Sequence, residues 1–233
     1  MLLGIIIGAI AVILFALLIY PGELSMFGPR ANRWLYNLSA KNYQDKWRSA
    51  AYQDDFYRDK ILCHLRDSIT TSGVNSVLDL GCGTGRGIRL SGGVLPADTL
   101  YTGIDFSSEM LSHFQQWLSE EGKEVASQVQ LVEAELGEWA TQAGHPQYGM
   151  VFLLEVGEFL PAFVSVVERL ASLIPPGGGL IMTRPARFWW VFFPGRRQSR
   201  RALSQLLESQ GFDCPEFMPW RSRYELVLAR KPN

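Results

Sequence analysis

The sequence predicts an α/β fold, a doubly wound sheet in which strands alternate with helices, preceded by one transmembrane helix. Three features predict it. Leu2 to Tyr20 is a run of nineteen residues without a charge. From Val77 onward, short apolar runs alternate with helical patterns, the order expected of βαβ units. Between the first such strand and its helix lies a loop with glycine at every second position, Gly81, Gly83 and Gly85.

The 233 residues suffice for one catalytic domain and an appendage, and 47% apolar against 19% charged residues is enough for a packed core. A net charge of −1 argues against a nucleic-acid partner, since phosphate binding needs a basic excess. Cys63, Cys82 and Cys214 are odd in number and unrelated in spacing, so they suggest neither a disulfide framework nor a zinc site and fit a reducing compartment. The three histidines show no paired metal-binding spacing, and no metal is expected.

A helix over residues 2–20 would be roughly 28 Å long at 1.5 Å per residue, close to the hydrocarbon thickness of a bilayer. A cleaved signal peptide would want a positive n-region and a small-x-small site, and a buried core helix would show a polar face. This run has neither, so residues 1–21 read as a membrane anchor, ended by Pro21-Gly22. Arg30, Arg33, Lys41, Lys46 and Arg48 follow the span, and the positive-inside tendency then predicts a single-pass protein with its catalytic domain facing the cytosol. Residues 22–73 form an aromatic-rich linker. Trp47, Ala51, Phe56, Ile61 and Leu65 recur at helical spacing, so helix is expected, in one piece or two. Its rings either pack the helix on the domain behind it or close over the site as a lid.

The strongest motif is Val77-Leu78-Asp79-Leu80-Gly81-Cys82-Gly83-Thr84-Gly85. Glycines let a strand-to-helix loop turn tightly and let a ligand approach the backbone, at the sheet edge where doubly wound folds bind nucleotides. The dinucleotide spacing G-x-G-x-x-G fails here, because its third glycine would fall on Arg86, Ile88 or Leu90; the phosphate-cradling P-loop pattern is absent too. The nonapeptide resembles the first motif of class I S-adenosylmethionine-dependent methyltransferases. That resemblance implies S-adenosylmethionine as cofactor, with Gly81, Cys82, Gly83, Thr84 and Gly85 lining its site and Asp79 orienting the methionine amine. It also implies a seven-stranded Rossmann-like sheet whose last strand is antiparallel, over residues 74–233.

Leu100 to Asp105 reads as the second strand, and its terminal acid is placed to accept hydrogen bonds from both ribose hydroxyls. Phe106-Ser107-Ser108-Glu109-Met110 resembles the family's next segment, with Ser107 a helix cap and Phe106 and Met110 beside the cofactor. Val129 to Val132 reads as the third strand. The family often places an adenine-binding acid after it; Glu135 holds that place, with Glu133 an alternative and a solvated glutamate a third reading. Tyr148 to Leu154 reads as the fourth strand, with Gly149 where relatives commonly carry aspartate. Glu155, at its end, is the candidate catalytic residue, as acceptor ligand or general base, against the plainer reading of a solvated carboxylate.

A helix over Ala162 to Leu173, the turn Pro175-Pro176-Gly177-Gly178-Gly179, a helix over Ser199 to Gln210 ended by Gly211, and a hairpin of Phe212 to Pro219 with Tyr224 to Arg230 complete the pattern. Absence of an N/D-P-P-Y tetrapeptide argues against protein and nucleic-acid substrates. Residues 184–201, RPARFWWVFFPGRRQSRR, hold six arginines and no acid. They form either a second membrane contact, where basic groups meet anionic lipid, or a strand end buried by neighbouring helices. The expected function is methyl transfer to a small, membrane-embedded acceptor such as a quinone, sterol-like compound or phospholipid. The alternatives are a non-catalytic methyltransferase-like scaffold docking on a membrane complex and, disfavoured by the glycine spacing, a NAD-dependent oxidoreductase.

Overall fold

The computed structural model describes residues 8, 29–91, 95–96, 98–160, 162–186, 198–220 and 224–233. Apart from Gly8, the expected span at residues 2–20 lies outside this set, as does most of the aromatic-basic run, residues 187–197. Among the described residues no helix is long and apolar enough to cross a membrane.

The linker is a single helix, α1 (Pro29–Ser72). Nothing between Arg30 and Ser72 breaks it: that stretch has neither glycine nor a second proline, and Pro29 sits where a first-turn proline is tolerated. It stops at Gly73, whose positive φ of 66° lets its N–H turn back to the carbonyl of Ile69 at 3.0 Å. Ile61, Leu65 and Ile69, four residues apart, form the buried stripe.

Seven strands follow: β1 (Ser76–Leu80), β2 (Leu100–Asp105), β3 (Val129–Glu133), β4 (Met150–Leu153), β5 (Gly179–Pro185), β6 (Glu216–Trp220) and β7 (Tyr224–Arg230). Among the described residues five further α-helices join them: α2 (Arg86–Leu90), α3 (Ser108–Glu120), α4 (Leu136–Thr141), α5 (Phe163–Ser172) and α6 (Arg200–Ser209). The sheet order is β3-β2-β1-β4-β5-β7-β6, parallel through β5, with β7 antiparallel to both β5 and β6. The hairpin's first strand begins at Glu216, four residues later than the sequence suggests.

Strand alternation divides the core. Leu78, Leu80, Val151, Leu153, Leu180 and Met182 point to one face with α4, α5 and α6. Val77, Met150, Phe152 and Ile181 point to the other with α1, α2 and α3. A central strand buried on both faces explains why β4 reads as an unbroken apolar run.

Gly149 is a packing glycine. A Cβ there would stand 2.2 Å from the carbonyl oxygen of Val74, so a side chain has no room. Gly149→Ala is expected to destabilise the protein by about 1–3 kcal/mol through overpacking. Thermal unfolding checks this, and an unchanged midpoint would show that the backbone yields.

Candidate functional site

β1 lies between β2 and β4, the point where strand order reverses, so the carboxyl ends of these three strands border a crevice. The glycine loop forms its floor. Gly81 and Cys82 donate to the carbonyl of Ile104 at 2.8 and 3.0 Å, and Gly85 donates to that of Cys82 at 2.9 Å, which ties the loop to the end of β2. Gly81, Gly83 and Gly85 all have positive φ (83°, 52° and 87°), where a side chain is strained.

The three glycines differ in what surrounds them. A Cβ on Gly81 would lie 2.2 Å from Val156, and one on Gly85 would lie 2.5 Å from the Phe114 ring. At Gly83 nothing lies within 4 Å. The outer two are glycine for packing as well as conformation, and Gly83 presents bare backbone to open space. Cys82 and Thr84 are buried, and burial holds the Cys82 thiol well above its usual pKa.

Asp105 is central to the arrangement. One carboxylate oxygen accepts from the Gly83 N–H at 2.9 Å and the other from the Ser107 N–H at 2.9 Å. Burial nevertheless raises its pKa to about 6, with those backbone hydrogen bonds opposing. Asp79 is turned beneath the loop: it is 1% exposed, it accepts from the Tyr101 hydroxyl, and a Cβ on Gly87 would meet it at 2.4 Å. Burial raises its pKa to about 7, and the Tyr101 hydrogen bond opposes the shift. Tyr101, which has no motif of its own, is thus a positioning partner that the sequence did not single out.

Ser107 caps α3, its hydroxyl accepting from the Met110 N–H at 3.2 Å; the Met110 side chain is buried. The Ser107 hydroxyl also donates to Asn37 of α1 at 2.6 Å. Tyr36 meets Phe106 edge-on at 5.6 Å and Phe159 at 6.2 Å. The start of α1 therefore spans from the end of β2 to the turn after β4. Glu135 follows β3, where burial raises its pKa and nearby Arg33 opposes; Glu133 is exposed.

Glu155 has φ 56°, a left-handed conformation uncommon for a glutamate. Its N–H donates to the Thr183 hydroxyl at 2.6 Å. Its carboxylate accepts from Arg86 at 2.5 Å and from the Trp220 indole at 2.9 Å, while the Arg86 guanidinium lies 4.7 Å over the Trp220 ring. This carboxylate is engaged rather than solvated. Nearby Glu158 is 2% exposed, accepts from the Tyr224 hydroxyl at 2.5 Å, and is raised by burial to about 7. Arg86, Trp220, Glu158 and Tyr224 had no local signal: Trp220 and Glu155 are 65 positions apart.

These residues fit a phosphate-free, cationic nucleoside. The open backbone at Gly83 leaves room for a ligand, and the Asp105 carboxylate lies beside it at the end of β2. Arg86, the cation nearest in sequence to the loop, is held by Glu155. Among the described residues no cluster of side chains suits a metal ion.

Comparison with known proteins agrees with this geometry. Residues 78–180 match the family model of a methyltransferase domain. A ubiquinone biosynthesis O-methyltransferase from Thiobacillus denitrificans is 36% identical over 136 residues, which are 58% of this chain and 49% of that relative. The chain thus spans about half the length of the curated relatives it matches. Among solved structures, human N-acetylserotonin methyltransferase in complex with SAM superposes with a TM-score of 0.58 at 19% identity, covering 86% of this chain and 57% of that one. Magnesium protoporphyrin IX methyltransferase from Synechocystis PCC 6803, also with bound SAM, gives 0.54 at 20%, covering 77% and 80%. At such identities these two show the fold alone. Glycine loop, strand order and the match over residues 78–180 agree: this part of the chain is similar to a methyltransferase domain and lies in a seven-stranded sheet of the same fold.

Proposed function

We propose that this chain transfers a methyl group from S-adenosylmethionine to an oxygen of a small, membrane-borne acceptor of the hydroxylated quinone type. The observation that carries the cofactor half is the bare backbone of Gly83 facing open space, with Asp105 bonded to the same residue. The acceptor half is supported by the curated relatives named for ubiquinone biosynthesis O-methylation and by the apolar residues 2–20. In this reading those residues cross the bilayer and the basic residues after them keep the domain on the cytosolic side.

When bound, S-adenosylmethionine supplies a methyl already activated by its positive sulfur. The chain's task is then alignment and exclusion of water. Asp105 holds the ribose, Glu135 stands near the base, and the Gly81–Gly85 loop supports the methionine portion. Asp79 acts from below, through the loop it underpins. Tyr36, Phe106 and Phe159 close the crevice. Glu155, fixed by Arg86 and Trp220, shapes the acceptor side rather than standing free as a base.

Binding should depend on pH. Asp105 must be ionised to accept from both ribose hydroxyls, and in the free protein it protonates near pH 6. The dissociation constant should therefore rise as pH falls through about 6, approaching tenfold per pH unit for one linked proton. Titration with S-adenosylhomocysteine between about pH 5 and 8 measures this; a constant affinity would detach Asp105 from the ligand.

Incubating the full chain with methyl-labelled S-adenosylmethionine and membrane lipid extract tests the reaction itself. Label in a quinone-type fraction is expected. Cofactor binding with no label in any lipid would favour the scaffold alternative.

A further inference from the structure

We infer that α1 has a second apolar face, carrying Trp34 and Leu38, that lies on the surface of an anionic bilayer. This rests on the proposal that residues 2–20 cross the membrane. The inner side of this segment is accounted for: Tyr36 and Asn37 meet the crevice, and Ala40 is 1% exposed. Trp34 and Leu38 are one turn apart and roughly half a turn around the helix from Tyr36 and Ala40. They are 63% and 67% exposed. A helix with one covered face normally turns polar groups outward. Here two of the four large apolar side chains exposed among the described residues share one stretch of helix; the others, Leu100 and Val164, lie on different elements.

Two observations identify the occupant. Eight residues, 21–28, separate the apolar run from Pro29, so chain length alone keeps the start of α1 within roughly 32 Å of the end of that run. Charge agrees. Residues 24–44 contain Arg30, Arg33 and Lys41 and no acid, and the first turn of α1 has no acidic residue. A helix N-terminus favours acids because its dipole end is positive. A basic first turn runs against that preference and suits a surface of negative headgroups. Tryptophan and leucine beside such charges match the composition of an interfacial helix. With its outer face on the lipid, α1 would hold the crevice next to the bilayer, where an apolar acceptor can enter without crossing water.

The test uses the full chain in vesicles of phosphatidylcholine and phosphatidylglycerol. Leu38→Cys, with the exposed Cys63 and Cys214 changed to serine, carries an environment-sensitive dye, and Glu168→Cys on α5 serves as control. Nitroxide lipids should quench the dye at position 38 and not at 168. The pair Trp34→Glu and Leu38→Glu should slow methylation of a vesicle-borne acceptor about tenfold or more, with S-adenosylhomocysteine affinity kept. Flotation with vesicles but no quenching at 38 would overturn the docking face and leave the anchor standing. Failure to float would overturn both. Protection of position 38 that depends on protein concentration rather than lipid would assign the face to a second copy of the chain, and would also overturn the inference.

Discussion

Asp105→Ala should lower affinity for S-adenosylmethionine about a hundredfold and destabilise the protein at the same time. Hydrogen bonds to a charged group contribute about 1.5–3 kcal/mol each, and loss of two ribose contacts reaches that factor. The stability effect follows from the free protein. The carboxylate satisfies the N–H groups of Gly83 and Ser107, and alanine leaves both without that partner. Each orphaned donor costs about 1–3 kcal/mol, partly offset by removing a desolvated acid whose pKa stands near 6. The sequence alone suggests a clean binding defect; the structure adds a cost in stability. Asp105→Asn separates the two, since it keeps one acceptor oxygen and removes the charge. Its affinity should fall and lose its pH dependence. Calorimetric titration and thermal unfolding on one preparation measure both quantities, and unchanged affinity in the alanine variant would refute the role of Asp105.

Gly83→Ala should reverse the balance seen at Gly81. At Gly83 the added methyl meets nothing within 4 Å, so the free protein bears only the left-handed backbone, about 1–2 kcal/mol. The methyl would stand where the ligand approaches, and affinity should fall tenfold to a hundredfold on an order-of-magnitude estimate. At Gly81 the methyl collides with Val156 at 2.2 Å on top of the same strain, so Gly81→Ala should cost several kcal/mol of stability, on the order of 2–5. Melting curves and dissociation constants for the two variants give a crossed pattern. If Gly83→Ala bound S-adenosylmethionine normally, the open side of Gly83 would not be the cofactor side.

Local physics made most of the frame legible. Short apolar strand runs and helix stop signals are written over a few adjacent residues, so β1, β2, α5 and α6 emerge near their observed limits. The glycine loop could be located because its backbone demands are local. What the loop residues do was less accessible. The family resemblance implies a methionine-amine role for Asp79; the structure adds Tyr101, on the neighbouring strand, whose hydroxyl donates to one of its carboxylate oxygens. Glu155 reads from the sequence as a candidate acceptor ligand or base, or else a solvated carboxylate; in the structure Arg86 and Trp220 reach it from the loop and from the far edge of the sheet. Pairings across 65 or more positions follow from sheet order and have no periodic trace. For α1 the helical spacing left one piece or two open, and the absence of any breaker accounts for the single helix over Pro29–Ser72.

A crystal structure of the chain with S-adenosylhomocysteine addresses the central claim most directly. Both ribose hydroxyls should lie within hydrogen-bond distance of the Asp105 carboxylate, with the nucleoside resting on the exposed backbone of Gly83 and beneath Tyr36. A nucleoside found elsewhere, or that crevice filled by the chain's own side chains in the liganded crystal, would contradict the account.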